Sequence, residues 1–181
     1  MSKSDDTKKA YLAAMSAYVL KHGFGEASLR PLAKAAGTSD RMLIYHFGNK
    51  DRLMAELIAG LATDFTAGLN TVLPEVPFPS RRALLDAVLA VVRSDDLHPY
   101  VRVWQEMTAL AAKGEAAHIG AGQAIVDGFV DWLSKRMPDG DPDPNGTASA
   151  MLTLIEGIHV MDTVGRDKVV SDAVDAIYPK T

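Results

Sequence analysis

Residues 28–53 read SLRPLAKAAGTSDRMLIYHFGNKDRL. Ser28 is a candidate N-cap, because its hydroxyl can accept from a free backbone N–H of the following turn. Pro31 falls in that turn, where a missing N–H costs little. Leu29, Leu32, Ala33 and Ala36 share one face at helical spacing. Gly37 marks a turn, since a left-handed backbone is cheap only for glycine. Ser39, or Thr38 before it, caps a second short helix with Asp40, Arg41 and Met42 in its first turn. Leu43 and Phe47 point inward, while Tyr45, His46 and Lys50 crowd the far end. Gly48 stops this helix and Asn49 caps the next. Two short helices around a Gly turn, the second polar at its start, make a helix-turn-helix.

Outward from this stretch the periodicity is helical throughout. Residues 5–22 carry a stripe of Tyr11, Met15 and Tyr18, flanked by Leu12 and Val19, and Gly23 and Gly25 end it. That stripe is expected to cover the two short helices, which cannot bury much alone. A long helix is expected over about residues 50–73, with Leu53, Leu57, Leu61, Phe65, Leu69 and Val72 recurring every three or four residues. Pro74, Pro77 and Pro79 break it. Further helices are expected over 80–94, capped by Ser80, over 98–113 with Pro99 in the first turn, and over 115–137. The stretch PDGDPDPNG, residues 138–146, reads as a solvated loop, followed by helices over 147–163 and 167–178. The expected fold is therefore all-α, with about nine helices. A three-helix helix-turn-helix domain over 1–50 would precede a helical bundle over 51–181.

Composition narrows the class. The chain has 181 residues, 48% of them hydrophobic, and no cysteine, which excludes disulfides and thiolate metal sites. No run approaches the roughly 18 apolar residues of a membrane span, and the N-terminus is too polar for a signal peptide. The expectation is a cytoplasmic protein with no membrane partner. The net charge of −4 is unevenly spread: residues 1–52 hold nine Lys and Arg against five Asp and Glu, and the remainder ten against eighteen. A basic head on an acidic body suits a head that meets phosphate.

The residues from Tyr11 to Phe24, continued by the 28–53 stretch, resemble the N-terminal domain of the TetR family of transcriptional regulators. The likeness is carried by Gly23-Phe24, Ser28, Leu32-Ala33, Ala36-Gly37-Thr38-Ser39, Leu43, Tyr45-His46-Phe47 and Asn49-Lys50, and covers about residues 10–57. Two positions depart from the family's habit. Ile44 stands where a tyrosine commonly follows the recognition-helix leucine, and Arg41 where glycine is common. The resemblance implies a double-stranded DNA operator, a homodimer and a small-molecule effector, and no enzyme.

Phosphate contacts position such a protein and base-edge contacts give specificity. Lys50, Tyr45 and His46 are the candidate phosphate grips, joined by Arg30 and Thr38, with Ser39 at the cap. Lys50 lies at a helix N-terminus, which already favours an anion. Arg41 can read a guanine edge in bidentate fashion, Asp40 can accept from a cytosine amino group or orient Arg41, and Met42 can pack on a thymine methyl.

The body offers two further sets. Ile119, Val126, Phe129 and Leu133, with Ile155 and Ile158, form long regular stripes that suit either a dimer interface or the chain's own core, and the resemblance favours the interface. Phe65, Trp104, Met107, Met151 and Leu152, with Glu156 and His159 beside them, are a soft apolar set suited to a small apolar or amphipathic effector, or to plain core. By resemblance, the effector would tilt the 50–73 helix and release the DNA. Glu156 and His159 are one helical turn apart, so a helical metal-dependent sensor or enzyme is the alternative reading, and a dimeric scaffold whose basic head binds a protein is a third. No cofactor or metal is expected.

Overall fold

Glycines, prolines and polar caps divide the chain where local sequence demands it. The computed structural model describes residues 3–179; residues 1 and 2 of the polar N-terminal stretch lie outside them. The described residues form nine helices and no strand. They are α1 (Lys3–His22), α2 (Leu29–Ala35), α3 (Asp40–Phe47), α4 (Lys50–Val72), α5 (Arg81–Val92), α6 (His98–Ala111), α7 (Ala116–Ser134), α8 (Pro144–Thr163) and α9 (Asp167–Ile177).

The helix-turn-helix is built by its caps. After α2, Gly37 takes φ +65°. The Thr38 N–H then reaches back to the Ala33 carbonyl at 2.9 Å, the Schellman closure that satisfies a free carbonyl at a helix end. Ser39 accepts from the Met42 N–H at 3.3 Å and starts α3. Gly48, at φ +86°, closes α3 by donating to the Ile44 carbonyl at 2.8 Å. Asn49 accepts from the Arg52 N–H at 2.8 Å and starts α4. One expected cap is not made: the Ser28 hydroxyl accepts nothing from α2, and the residue serves through its carbonyl, which accepts from Leu32 N–H at 3.1 Å.

Two compact units divide the chain. The first holds residues up to Gly68 together with Ser94–Ile125. Its core joins Met15 and Val19 of α1, Leu32 and Ala33 of α2, Leu43 and Phe47 of α3, Leu53 and Leu57 of α4, and Val103 and Met107 of α6. The α1 stripe thus covers both short helices. Burial of each of these side chains larger than Ala33 contributes about 2 kcal/mol. Lys8 fastens α1 further: its ammonium pairs with Glu56 at 2.7 Å and lies 4.9 Å from the centre of the Phe47 ring.

Within this unit α6 grips the end of α1. Glu106 accepts from the Phe24 N–H at 2.5 Å and from the Gly25 N–H at 3.0 Å. Arg102, one turn earlier, donates to the Leu20 carbonyl at 2.5 Å. A Cβ on Gly23, whose φ is +92°, would come within 2.8 Å of the Glu106 carboxylate, so glycine is required there for both reasons.

The second unit comprises Leu69–Arg93 and Val126–Thr181. Leu84, Leu85 and Val88 of α5, Leu133 of α7, and Met151, Ile155 and Ile158 of α8 are among its buried apolar residues, with Val174 of α9. α8 begins three residues before the expected position. Asp143 accepts from the Gly146 N–H at 2.9 Å and Pro144 occupies the first turn, so the tail of the expected loop is a capped helix start. α7 stops at Ser134 rather than 137, and the amides of residues 135–137 turn back on the carbonyls of Asp131, Leu133 and Ser134.

That turn places Arg136, 1% exposed, in the core of the second unit. Its guanidinium donates to the Leu73 carbonyl (3.1 Å), the Trp132 carbonyl (3.0 Å) and Asn70 Oδ1 (2.8 Å), and stacks 3.8 Å from the Trp132 ring centre. Asn70 Oδ1 also accepts from Trp132 Nε1 at 2.8 Å. Burial pushes the guanidinium below its ordinary range, and Glu75 partly offsets this.

Candidate nucleic-acid interface

The caps around α3 turn one side of the helix inward and leave the other bare. Leu43 and Phe47 are buried, whereas Asp40, Arg41 and Met42 are exposed in the first turn and Tyr45, one turn later, is 76% exposed. Ser39 is spent on the Met42 N–H, so its side chain serves the cap. Thr38 and His46 are half-buried. Ile44, at the position where the family favours tyrosine, is half-buried as well.

Charge is distributed to match. Arg30 in the first turn of α2, Arg41 in α3 and Lys50 in the first turn of α4 are all exposed, and none forms an ion pair among the described residues. In the second unit Arg81, Arg82, Arg93, Lys135 and Lys168 each hold a carboxylate. Lys50 also stands where free amide groups of α4 point outward, which strengthens its hold on an anion. Arg52, exposed beside Gly48, is not singled out by sequence; its place two residues after Lys50 is the available signal.

Aromatic rings tie these residues to α1. The Tyr11 hydroxyl lies 3.2 Å from Thr38 Oγ1, and its ring meets His46 edge-on with centroids 5.4 Å apart. Tyr45 meets His46 in the same fashion at 5.3 Å. Tyr11 reads in the sequence only as one member of the α1 apolar stripe.

The remaining candidates fall into both units. Phe65, Trp104 and Met107 belong to the first. Phe65 lies 5.9 Å from the Tyr100 ring, and the Met107 and Trp104 side chains approach within 4.0 Å of where a Gly122 Cβ would stand. Met151, Leu152, Glu156 and His159 belong to the second unit, where all but Glu156 are buried. Leu152 and Glu156 line an open groove of about 590 Å³ between α7 and α8, together with Val126 and Val130. Among the described residues no three His, Asp or Glu side chains gather where they could hold a metal ion.

The expected interface divides by burial. Ile119 and Val126 are exposed and Phe129 half-exposed. Leu133, Ile155 and Ile158 are instead buried inside the second unit, at 0, 1 and 2% exposure. A side chain with no accessible surface has none to give a partner, so these three are core.

Sequence comparison agrees with this geometry. Residues 13–57 match the family model "Bacterial regulatory proteins, tetR family". Residues 13–57 are thus similar to the DNA-binding domain of the TetR family. No curated protein matches the chain. Among solved structures, a protein assigned to the TetR family from Rhodococcus sp. superimposes with TM-score 0.73 at 20% identity, over 96% of this chain and 97% of that one. A protein of Streptomyces coelicolor A3(2) assigned as a transcriptional regulator gives TM-score 0.72 at 23% identity, over 96% and 99%. The multidrug binding protein EbrR, solved with imidazole, gives 0.70 at 18%, over 100% and 95%. At these identities the likeness establishes the fold, so the TetR architecture extends along the whole chain while the sequence match rests on the head. No helix among the described residues is long and apolar enough to cross a membrane.

Proposed function

We propose that this chain is a DNA-binding transcriptional repressor of the TetR type, released from its operator by a small apolar or amphipathic effector. The observation that carries the reading is the α3 face: a capped, exposed first turn bearing Arg41, with unpaired Arg30 and Lys50 in the first turns of α2 and α4. An unpaired cation keeps its full attraction for phosphate, whereas one already held by a carboxylate must lose that partner first. Residues 1–50 serve as the reading head and 51–181 as the body that holds the effector and the partner subunit, in the cytoplasm.

Helix-turn-helix heads read two half-sites as dimers, so the reading includes a homodimer. Its face is the open side of α7 and α8, where Val126 and Phe129 keep accessible surface, with Ile119 exposed earlier in α7. The effector set in the first unit is Phe65, Trp104 and Met107, since aromatic rings and a methionine adapt to varied apolar ligands. Met151, Leu152, Glu156 and His159 are retained as effector candidates of the second unit. EbrR, similar in fold, is by its description a multidrug binding protein. The effector need only favour the released state over the DNA-bound one.

The test is fluorescence anisotropy with a random duplex and with duplexes from the DNA flanking its own gene, across a salt series. Arg41→Ala is expected to cost about 1–3 kcal/mol on the preferred duplex and to relax preference at one base position. Lys50→Ala is expected to weaken all duplexes evenly and to lower the salt slope by about one. Parent-like binding by both variants overturns the assignment.

A further inference from the structure

We propose that Tyr11 is a positioning residue of the DNA face: from α1 it sets Thr38 before α3 and His46 in the last turn of α3. The inference rests on the DNA-binding reading above and adds to it a residue outside the helix-turn-helix. Three observations carry it. Tyr11 lies on the same face as Met15, which is fully buried, yet Tyr11 itself is only partly buried. An apolar residue would complete that stripe equally well, so the hydroxyl calls for a reason of its own. It has one: Thr38 Oγ1 lies 3.2 Å away. The ring, independently, meets His46 edge-on at 5.4 Å.

The chemistry of the hydroxyl pair has a direction. A phenol is more acidic than an alkyl alcohol, so Tyr11 donates and Thr38 accepts. The Thr38 oxygen is then occupied on its α1 side, and its own proton is left to donate elsewhere. A phosphate oxygen is the acceptor that DNA supplies there. Without the Tyr11 hydroxyl, Thr38 can turn its proton inward, and its rotamer is no longer fixed. The ring acts on His46 in a separate way. An aromatic pair of this geometry favours one imidazole orientation several-fold, beyond what burial alone does. Tyr45 contacts the same imidazole at 5.3 Å, so the three rings form a row that begins in α1 and ends on an exposed side chain.

Two variants separate the two functions. Tyr11→Phe removes the hydroxyl and keeps the ring; Tyr11→Leu removes both. Binding is measured on the full chain with the preferred duplex. Stoichiometric titration is used to separate fewer folded molecules from weaker binding. Tyr11→Phe is expected to weaken binding about three- to tenfold, the range one hydrogen bond's net worth converts to. Its salt slope should be unchanged, because no ionic contact is lost. Thr38→Val should give a similar loss, and the double variant no more than the larger single one. His46→Ala should cost the same in the Tyr11→Phe background as in the parent, and less in the Tyr11→Leu background.

Additive losses for Tyr11→Phe and Thr38→Val, or a Tyr11→Phe that binds within twofold of the parent, overturn the proposal. A loss confined to the active fraction, with affinity unchanged in the folded molecules, assigns Tyr11 to folding alone and also overturns it. Thr38→Val reads the same coupling from the loop side, so a poorly folding Tyr11 variant does not end the test. A parent protein that shows no salt-dependent binding to any duplex fails the DNA-binding reading itself, and this inference with it.

Discussion

Replacing Glu106 by alanine removes the one carboxylate oxygen, Oε2, that accepts from both amides at the end of α1. The two amides involved differ in surroundings. Gly25 is exposed, so water replaces the carboxylate there at little cost. Phe24 is buried and its N–H, now 2.5 Å from the carboxylate, is left with no acceptor. Stranding a buried amide costs about 1–3 kcal/mol, and a charge-assisted bond is at the upper end. Taking about 2 kcal/mol, the melting midpoint falls by roughly 4–8 °C for a chain of this size. Glu106→Gln keeps one oxygen able to accept from both amides and loses only the charge, so its midpoint should fall by less than that of Glu106→Ala. Amide exchange at Phe24 reports the contact directly and should speed by about 30-fold, the factor equivalent to 2 kcal/mol. Gly23→Ala supplies a second check. Its new Cβ would meet the carboxylate at 2.8 Å, so its cost should shrink in the Glu106→Ala background, leaving only the strain of a positive φ. A midpoint within 1 °C of the parent, with unchanged exchange at Phe24, would refute the reasoning.

In the second unit, Arg136→Ala orphans the Leu73 and Trp132 carbonyls and is expected to cost about 3 kcal/mol in urea unfolding. Asn70→Asp preserves the acceptor for Trp132 and Arg136 and adds a counter-charge, so it should match or exceed the parent's stability, whereas Asn70→Leu should fall below it. Asp141 is held below its ordinary value of 3.8 by the Arg81 guanidinium first, and also by the Asp143 amide and the Thr147 hydroxyl. A depressed carboxyl stabilises the fold above its unfolded value and loses that contribution as pH falls through the native one. Arg81→Gln should therefore be less stable than the parent at neutral pH, with the gap closing only below 3.8, as followed by circular dichroism. Val126→Asp, on the open side of α7, should shift sedimentation towards monomer with helicity retained.

What is legible in the sequence is what is settled within a few residues. Gly37, Ser39, Gly48, Asn49 and Ser80 act on backbone groups at most five positions away, and each does so as its residue type dictates. Asp143-Pro144 is equally local, and is masked only because the surrounding prolines and aspartates suggest a continuous loop. Periodicity fares differently. It places Leu133, Ile155 and Ile158 on apolar faces correctly, but a face carries no mark of whether the chain itself or a partner covers it. Polar contacts between distant residues leave no such signal. Glu106 meets Phe24 across 82 positions and Arg136 meets Leu73 across 63, and neither side chain stands in any pattern.

Arg136 has a consequence that an ordinary salt bridge would not. Its direct backbone partners are not acids but the carbonyl ends of two helices: Leu73 just past α4 and Trp132 in the last turn of α7. Carbonyl dipoles do not titrate, and a guanidinium remains protonated throughout the range in which proteins stay folded. Acid therefore strips the Arg81–Asp141 clasp and the Glu75 charge while leaving these hydrogen bonds in place, so the second unit should loosen at the α5 start before it parts at the α4–α7 ends.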